Sequence, residues 1–185
     1  MATSKTGSFY LTETVNLPAA SVSGARSQGT IDLGAYVNVP TGQAIAIEEV
    51  DFIIQGDGAG RSQEFQSMLQ SNGALSFQLC DLNPGTQLLR ADDHSLVASG
   101  ALNIDFINNI GSEVADFYPD NFGPASLSEA FMVVNDTLYL VIGNNGALVS
   151  AATGIDITVR VRCRVVKLGT KDWMAIAIQS TASDN

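Results

Sequence analysis

A chain of 185 residues, 45% hydrophobic and only 15% charged, is too apolar to stay disordered and long enough to bury a core of its own. Its formal net charge of −10 excludes the broad basic surface that nucleic acid requires; acid excess with three lysines suits solubility in concentrated salt. Two cysteines and one histidine exclude a disulfide framework and are too few ligands for a zinc site.

No apolar run approaches the ~20 residues of a spanning helix. The opening "MATSKTGSFY" has no apolar segment of the secretory kind, so the chain is expected to start in a cytoplasm. Alternation of period two, the mark of strands with one wet face, then runs along the chain. "FYLTETVNL" places Phe9, Leu11, Val15 and Leu17 on one side. "TIDLGAYVNV" does the same with Ile31, Leu33, Ala35, Val37 and Val39. "GQAIAIEEVDFIIQG" begins with Ile45 and Ile47 and resumes with Val50, Phe52 and Ile54. Its parity flips across Glu48–Glu49, which predicts a β-bulge.

"RSQEFQSMLQ" (61–70) is the one segment with helical spacing, through Phe65, Met68 and Leu69; "PASLSEAF" could form a further short turn. Strands follow at "ALSFQLCDL", "ALNIDFI", "AFMVVN" and "DTLYLVIG", with "VNDT" expected to close a tight hairpin between the last two. Cys80 points away from the Leu75, Phe77 and Leu79 set, and Cys163 lies on the apolar face of its strand, so two free thiols are expected. The arginine-rich stretch and "KDWMAIAIQ" supply the last strands. The expected fold is all-β: residues 1–185 as one antiparallel β-sandwich, a single jelly roll of about eight strands with one short helix and short polar terminal arms. The arms "MATSKTGS" and "QSTASDN" are expected to be disordered in isolation. Segments 56–72, 84–97 and 108–128 would gather as loops at its ends. "DFYPDNFGPASL" carries Phe117, Tyr118 and Phe122, which are either contact residues for a neighbour or a satellite cluster capping the core.

Catalytic motifs are missing from the sequence: it has no G-x-S-x-G, H-E-x-x-H, phosphate-binding loop or dinucleotide fingerprint. Asp92, Asp93 and His94 are adjacent but fit a solvated turn better than an ion site. The chain therefore reads as a non-enzyme with no cofactor and no metal.

The most unusual stretch is "GIDITVRVRCRVVKLG" (154–169). Arg160, Arg162, Arg164, Lys167 and Lys171 place five of the nine basic residues within twelve positions of an acidic chain. Alternation sets Ile155, Ile157, Val159, Val161, Cys163 and Val165 on one face, and Asp156, Thr158 and the three arginines on the other. Guanidinium groups ~6.5–7 Å apart repel one another, so counter-charges must be near. They could be cross-strand carboxylates of the same sheet, or the acidic surface of another subunit, with Lys167 and Lys171 extending the stripe toward Trp173. Anionic lipid or nucleic acid is a third option.

The strands from "SFYLTETVNL" to "DWMAIAIQ", the length, the acidity and the scarcity of lysine together resemble a viral jelly-roll capsid protein. More narrowly, the chain resembles the smaller major capsid protein of icosahedral, internal-membrane-containing haloarchaeal viruses, the single vertical jelly-roll group. That resemblance implies a virion protein assembled in the host cytoplasm. Copies of it and of a related capsid protein would build pseudo-hexameric capsomers over a viral membrane. It transfers no functional residue by position. A decoration or turret protein on a tailed-virus capsid and a carbohydrate-binding β-sandwich are the competing readings; Trp173, the only tryptophan, is little with which to build a sugar platform.

Overall fold

Period-two alternation becomes strand at most of the places where it occurs. The computed structural model describes residues 2–56, 64–115 and 131–181. Among them are the strands β1 (Thr3–Ser4), β2 (Phe9–Leu17), β3 (Arg26–Asp32), β4 (Gln43–Gly56), β5 (Gly73–Cys80), β6 (Leu96–Asp105), β7 (Ile110–Ala115), β8 (Phe131–Val133), β9 (Thr137–Asn145) and β10 (Ile155–Lys167). Helix α1 (Phe65–Met68) is a single turn, and α2 (Thr170–Thr181) is the longer helix.

The strands form two antiparallel sheets. In the first, β10 is central, with β1 and β2 on one side and β4 then β8 on the other; the second runs β3-β9-β5-β6-β7. The chain crosses between sheets at β2–β3, β3–β4, β4–β5, β7–β8, β8–β9 and β9–β10. This wrapping is a jelly roll, with β7 added at the edge of the second sheet. The inward faces meet in one core that includes Leu17, Ile47, Leu75, Leu79, Leu140, Ile142, Ile157, Val161 and Cys163, each with no exposed surface. Full burial of each such side chain contributes on the order of 1.5–3 kcal/mol before entropy is counted. Phe52 of β4 meets Phe77 of β5 across the core with ring centroids 4.7 Å apart. Phe77 pairs with Gly100, where a Cβ would collide with its ring.

Five local expectations differ from the structure. The strand expected over 30–39 ends at Asp32, because the Asp32 carboxylate accepts the Gly34 N–H at 2.8 Å and Leu33 O takes the Tyr36 and Val37 N–H groups. "VNDT" joins the two sheets and is no hairpin: Leu33 donates to Asp136 O at 2.7 Å and Asn135 reaches Asp81 O at 3.0 Å. Ile110–Ala115, read as irregular, pairs with β6. "KDWMAIAIQ" is helical, and its packed residues Trp173, Ile176 and Ala177 recur at i, i+3 and i+4. In the N-terminal arm, Thr3–Ser4 pairs with Val166–Lys167 and so adds a short strand. The free thiols are as expected: Cys80 and Cys163 are unbridged and buried.

Helix α2 covers one end of the outer face of the first sheet. It packs with Val134, Val166 and Leu168 over Ala44 and Ala46, whose small side chains let the helix approach. A 3-10 turn at Val39–Thr41 lies beside it, capped by the Asn38 side chain, which accepts the Thr41 N–H at 3.2 Å. Gly42 ends that turn at φ +69°, and a Cβ there would stand 2.7 Å from Leu168 O. The same pair is tied by the Leu168 N–H to Gly42 O bond of 2.8 Å. Gly42→Ala is therefore expected to cost about 1–3 kcal/mol, measured as a lower midpoint in urea unfolding. An unchanged midpoint would mean that the turn shifts freely.

Candidate intersubunit interface

The bulge expected at Glu48–Glu49 is present and decides what the arginines do. Arg162 pairs with Glu49 and Cys163 pairs with Ile47, so Glu48 is the extra residue of β4. Before it, Ala44 and Ala46 face outward with Ile45 and Ile47 inward; after it, Val50 faces the core and Glu49 and Asp51 face out. The insertion thus turns two consecutive glutamates toward the same face as Arg162 and Arg164.

Glu48 is 7% exposed. Its Oε2 accepts from Arg162 Nε at 3.1 Å and from Ser8 Oγ at 2.8 Å, and its Oε1 lies 3.1 Å from Arg164 Nη1. Glu49 Oε2 takes the Arg162 Nη1 at 3.1 Å. Burial alone would raise the Glu48 pKa; the Ser8 and Arg162 bonds and the two guanidinium charges outweigh it and hold the carboxyl below its ordinary value. Two cations and two anions thus close a neutral cluster inside one sheet.

The rest of this outer face is a cross-strand ladder between β2 and β10. Asn16 donates to Asp156 at 2.8 Å, and the Thr14 and Thr158 hydroxyls meet at 2.8 Å. Arg160 is exposed and sits over the Tyr10 ring, 5.0 Å from its centroid, a contact worth about 0.5–1 kcal/mol at an exposed site. Among the described residues it makes no ion pair.

The five basic residues therefore separate. Arg162 and Arg164 bond to their own sheet, and Arg160 lies on its surface. Val166, the next outward residue, is covered by α2. Lys167 and Lys171 are exposed beyond that cover, and Trp173 is half-buried on the packed side of the helix. Phe117, Tyr118 and Phe122 lie outside the described residues. Of the candidate contact residues, Lys167, Lys171 and Trp173 come together, and the arginines belong to a second group.

The sequence reading missed Glu48 as the counter-charge. Its signal was the parity flip, which was read as backbone geometry and not connected to the arginines opposite. It also missed Asp81, 2% exposed just after β5, whose Oδ1 has no hydrogen-bond partner among the described residues. Burial, with Asp93 nearby, pushes that carboxyl up to about 7. Both thiols are pushed up to about 12, chiefly by burial, and are inert as nucleophiles near neutrality. No described helix is long and apolar enough to cross a membrane.

No protein-family model and no curated protein matches this chain. Among solved structures, one titled Desmodium yellow mottle tymovirus is similar over 89% of this chain and 92% of its own, at 9% identity and a TM-score of 0.31.

Proposed function

We propose that this chain is a structural subunit of a viral capsid. It stands in the shell as a jelly roll and assembles with copies of itself and a related capsid protein into pseudo-hexameric capsomers over a viral membrane. Assembly takes place in the host cytoplasm, and the mature location is the virion. The observation that carries this reading is the jelly-roll strand order, which leaves connecting segments at two opposite ends of a rigid sandwich. That arrangement suits a building block whose sides and ends meet neighbours, although fold alone does not dictate function. A haloarchaeal host is part of the same proposal and is supported by the acidic, lysine-poor composition.

Particles banded in a density gradient from the source culture provide the test. Quantitative mass spectrometry is expected to find this chain in many copies per particle, in fixed ratio to a second capsid protein. Its absence from purified particles, or presence at only a few copies, would remove the shell-forming role.

A further inference from the structure

All three lysines of the chain lie toward one end of the first sheet, although the sequence separates Lys5 from the other two by more than 160 positions. Lys5 follows β1, and its N–H donates to Val165 O at 2.8 Å; Lys167 ends β10; Lys171 opens α2. All three are exposed, and among the described residues none makes an ion pair. Beside them, between the 3-10 turn and α2, is a groove of about 690 Å³. Val39, Pro40, Lys167, Leu168, Trp173 and Met174 line it. Val39 is 57% exposed and Met174 55%, large for apolar side chains in a well-packed sandwich. The Trp173 indole N–H, shielded from solvent, has no acceptor among the described residues.

The same end of the sandwich presents the opposite charge along the second sheet. Asp32 closes β3, Asp136 precedes β9, and Asp92 lies in the β5–β6 connection, where it forms a solvent-exposed pair with Arg90 at 3.2 Å; all three aspartates are exposed. Leu33 N–H to Asp136 O ties the first two together. Three carboxylates elsewhere are already engaged: Glu48 and Glu49 are bonded to arginine, and Asp156 to Asn16.

We propose that the lysine-flanked groove is an interface that receives the aspartate row of a second copy of this chain. This deepens, and rests on, the capsid reading above. Val39 and Met174 supply apolar contact, and the lysines select carboxylate over other surfaces and fix register. Charge complementarity favours this occupant over an anionic membrane. A net charge of −10 is repelled by an extended anionic plane, whereas a local aspartate row meets the lysines at short range. Between copies the remaining repulsion is screened beyond ~8 Å at physiological ionic strength.

The full chain is tested by sedimentation and by emission of Trp173, its only tryptophan. Wild type is expected to self-associate with rising concentration, with a shift in Trp173 emission. Val39→Asp/Met174→Asp and Lys167→Glu/Lys171→Glu are each expected to weaken association at least ~10-fold, with unchanged circular dichroism. Asp92→Lys/Asp136→Lys should do the same, and an equimolar mixture of the two charge-reversed chains should associate again. Wild type that stays monomeric at every concentration overturns the proposal, as does association that no variant changes. Lysine-dependent binding to phosphatidylglycerol vesicles in place of self-association would assign the corner to a lipid surface and also overturn it. Particle composition separates the two readings. A chain abundant in virions yet indifferent to these substitutions sinks the groove alone. A chain that self-associates through the groove yet is absent from virions sinks the shell role alone.

Discussion

Glu48→Gln is expected to destabilise the protein by about 2–4 kcal/mol at pH 7. Removing one member of a buried ion pair costs ~3–5 kcal/mol because the partner charge stays behind. Here Arg164 is 22% and Arg162 34% exposed, so water recovers part of that. Glutamine keeps the shape of the side chain and can still accept one bond. It cannot neutralise two guanidinium groups, and the cluster would carry a net positive charge. The effect has a defined pH dependence. The native Glu48 pKa is held below its ordinary value of 4.5, so the unfolded chain binds this proton more readily than the folded one. Its contribution is therefore present above about pH 4.5 and is lost as pH falls through the native pKa. Urea unfolding at pH 7 and pH 3 should show a large difference between wild type and Glu48→Gln at the higher pH and a smaller one at the lower. Equal differences at both would mean that Glu48 acts through packing. Partial recovery is expected in Glu48→Gln/Arg164→Met, where the orphaned charge is also removed.

The second large effect has the opposite sign in pH. Asp81 has a native pKa of about 7 against an ordinary 3.8, so the folded protein holds this proton where the unfolded chain releases it. Its favourable contribution is complete below about pH 3.8 and disappears as pH rises through about 7. Between pH 5 and 8.5 this one group is expected to remove on the order of 2–3 kcal/mol of stability from wild type. Asp81→Asn has no proton to lose and should be nearly flat over that range. Its absolute stability includes the cost of a new buried amide, so the comparison of slopes is the decisive measurement. Parallel pH profiles for wild type and Asp81→Asn would show that the carboxyl is hydrated or otherwise partnered. Together Glu48 and Asp81 predict greatest stability in mildly acidic solution, with loss on both sides.

Much of the fold was legible because a strand with one wet face writes its orientation into every second residue. β2 was read to its full extent, β10 was read with the correct inward set, and the bulge in β4 was visible as a break in parity. Reading failed where a local hydrogen bond or a distant surface overrode the pattern. The Asp32 turn stopped β3 although the alternation continued to Val39. In "KDWMAIAIQ" the apolar residues satisfy both periods, and the outer surface offered by Ala44, Ala46 and Val166 selected the helix. For the arginines, the sequence called for counter-charges and offered three sources for them: the same sheet, another subunit, or anionic lipid or nucleic acid.

By itself, then, the sequence determined the sheet class, the inward and outward faces of the strands it read, the position of the bulge and the demand for a carboxylate near at least one of Arg160, Arg162 and Arg164. These follow from steric alternation and Coulomb repulsion, which act between near neighbours in the chain. Tertiary structure alone decided that Glu48, 114 residues from Arg162, answers two of the arginines. It alone buried Asp81 with its Oδ1 unpartnered among the described residues and brought the Lys5 segment beside the end of β10. The physical reason is that register between distant strands sets which side chains share a surface, and that register is a property of the packed sheets as a whole.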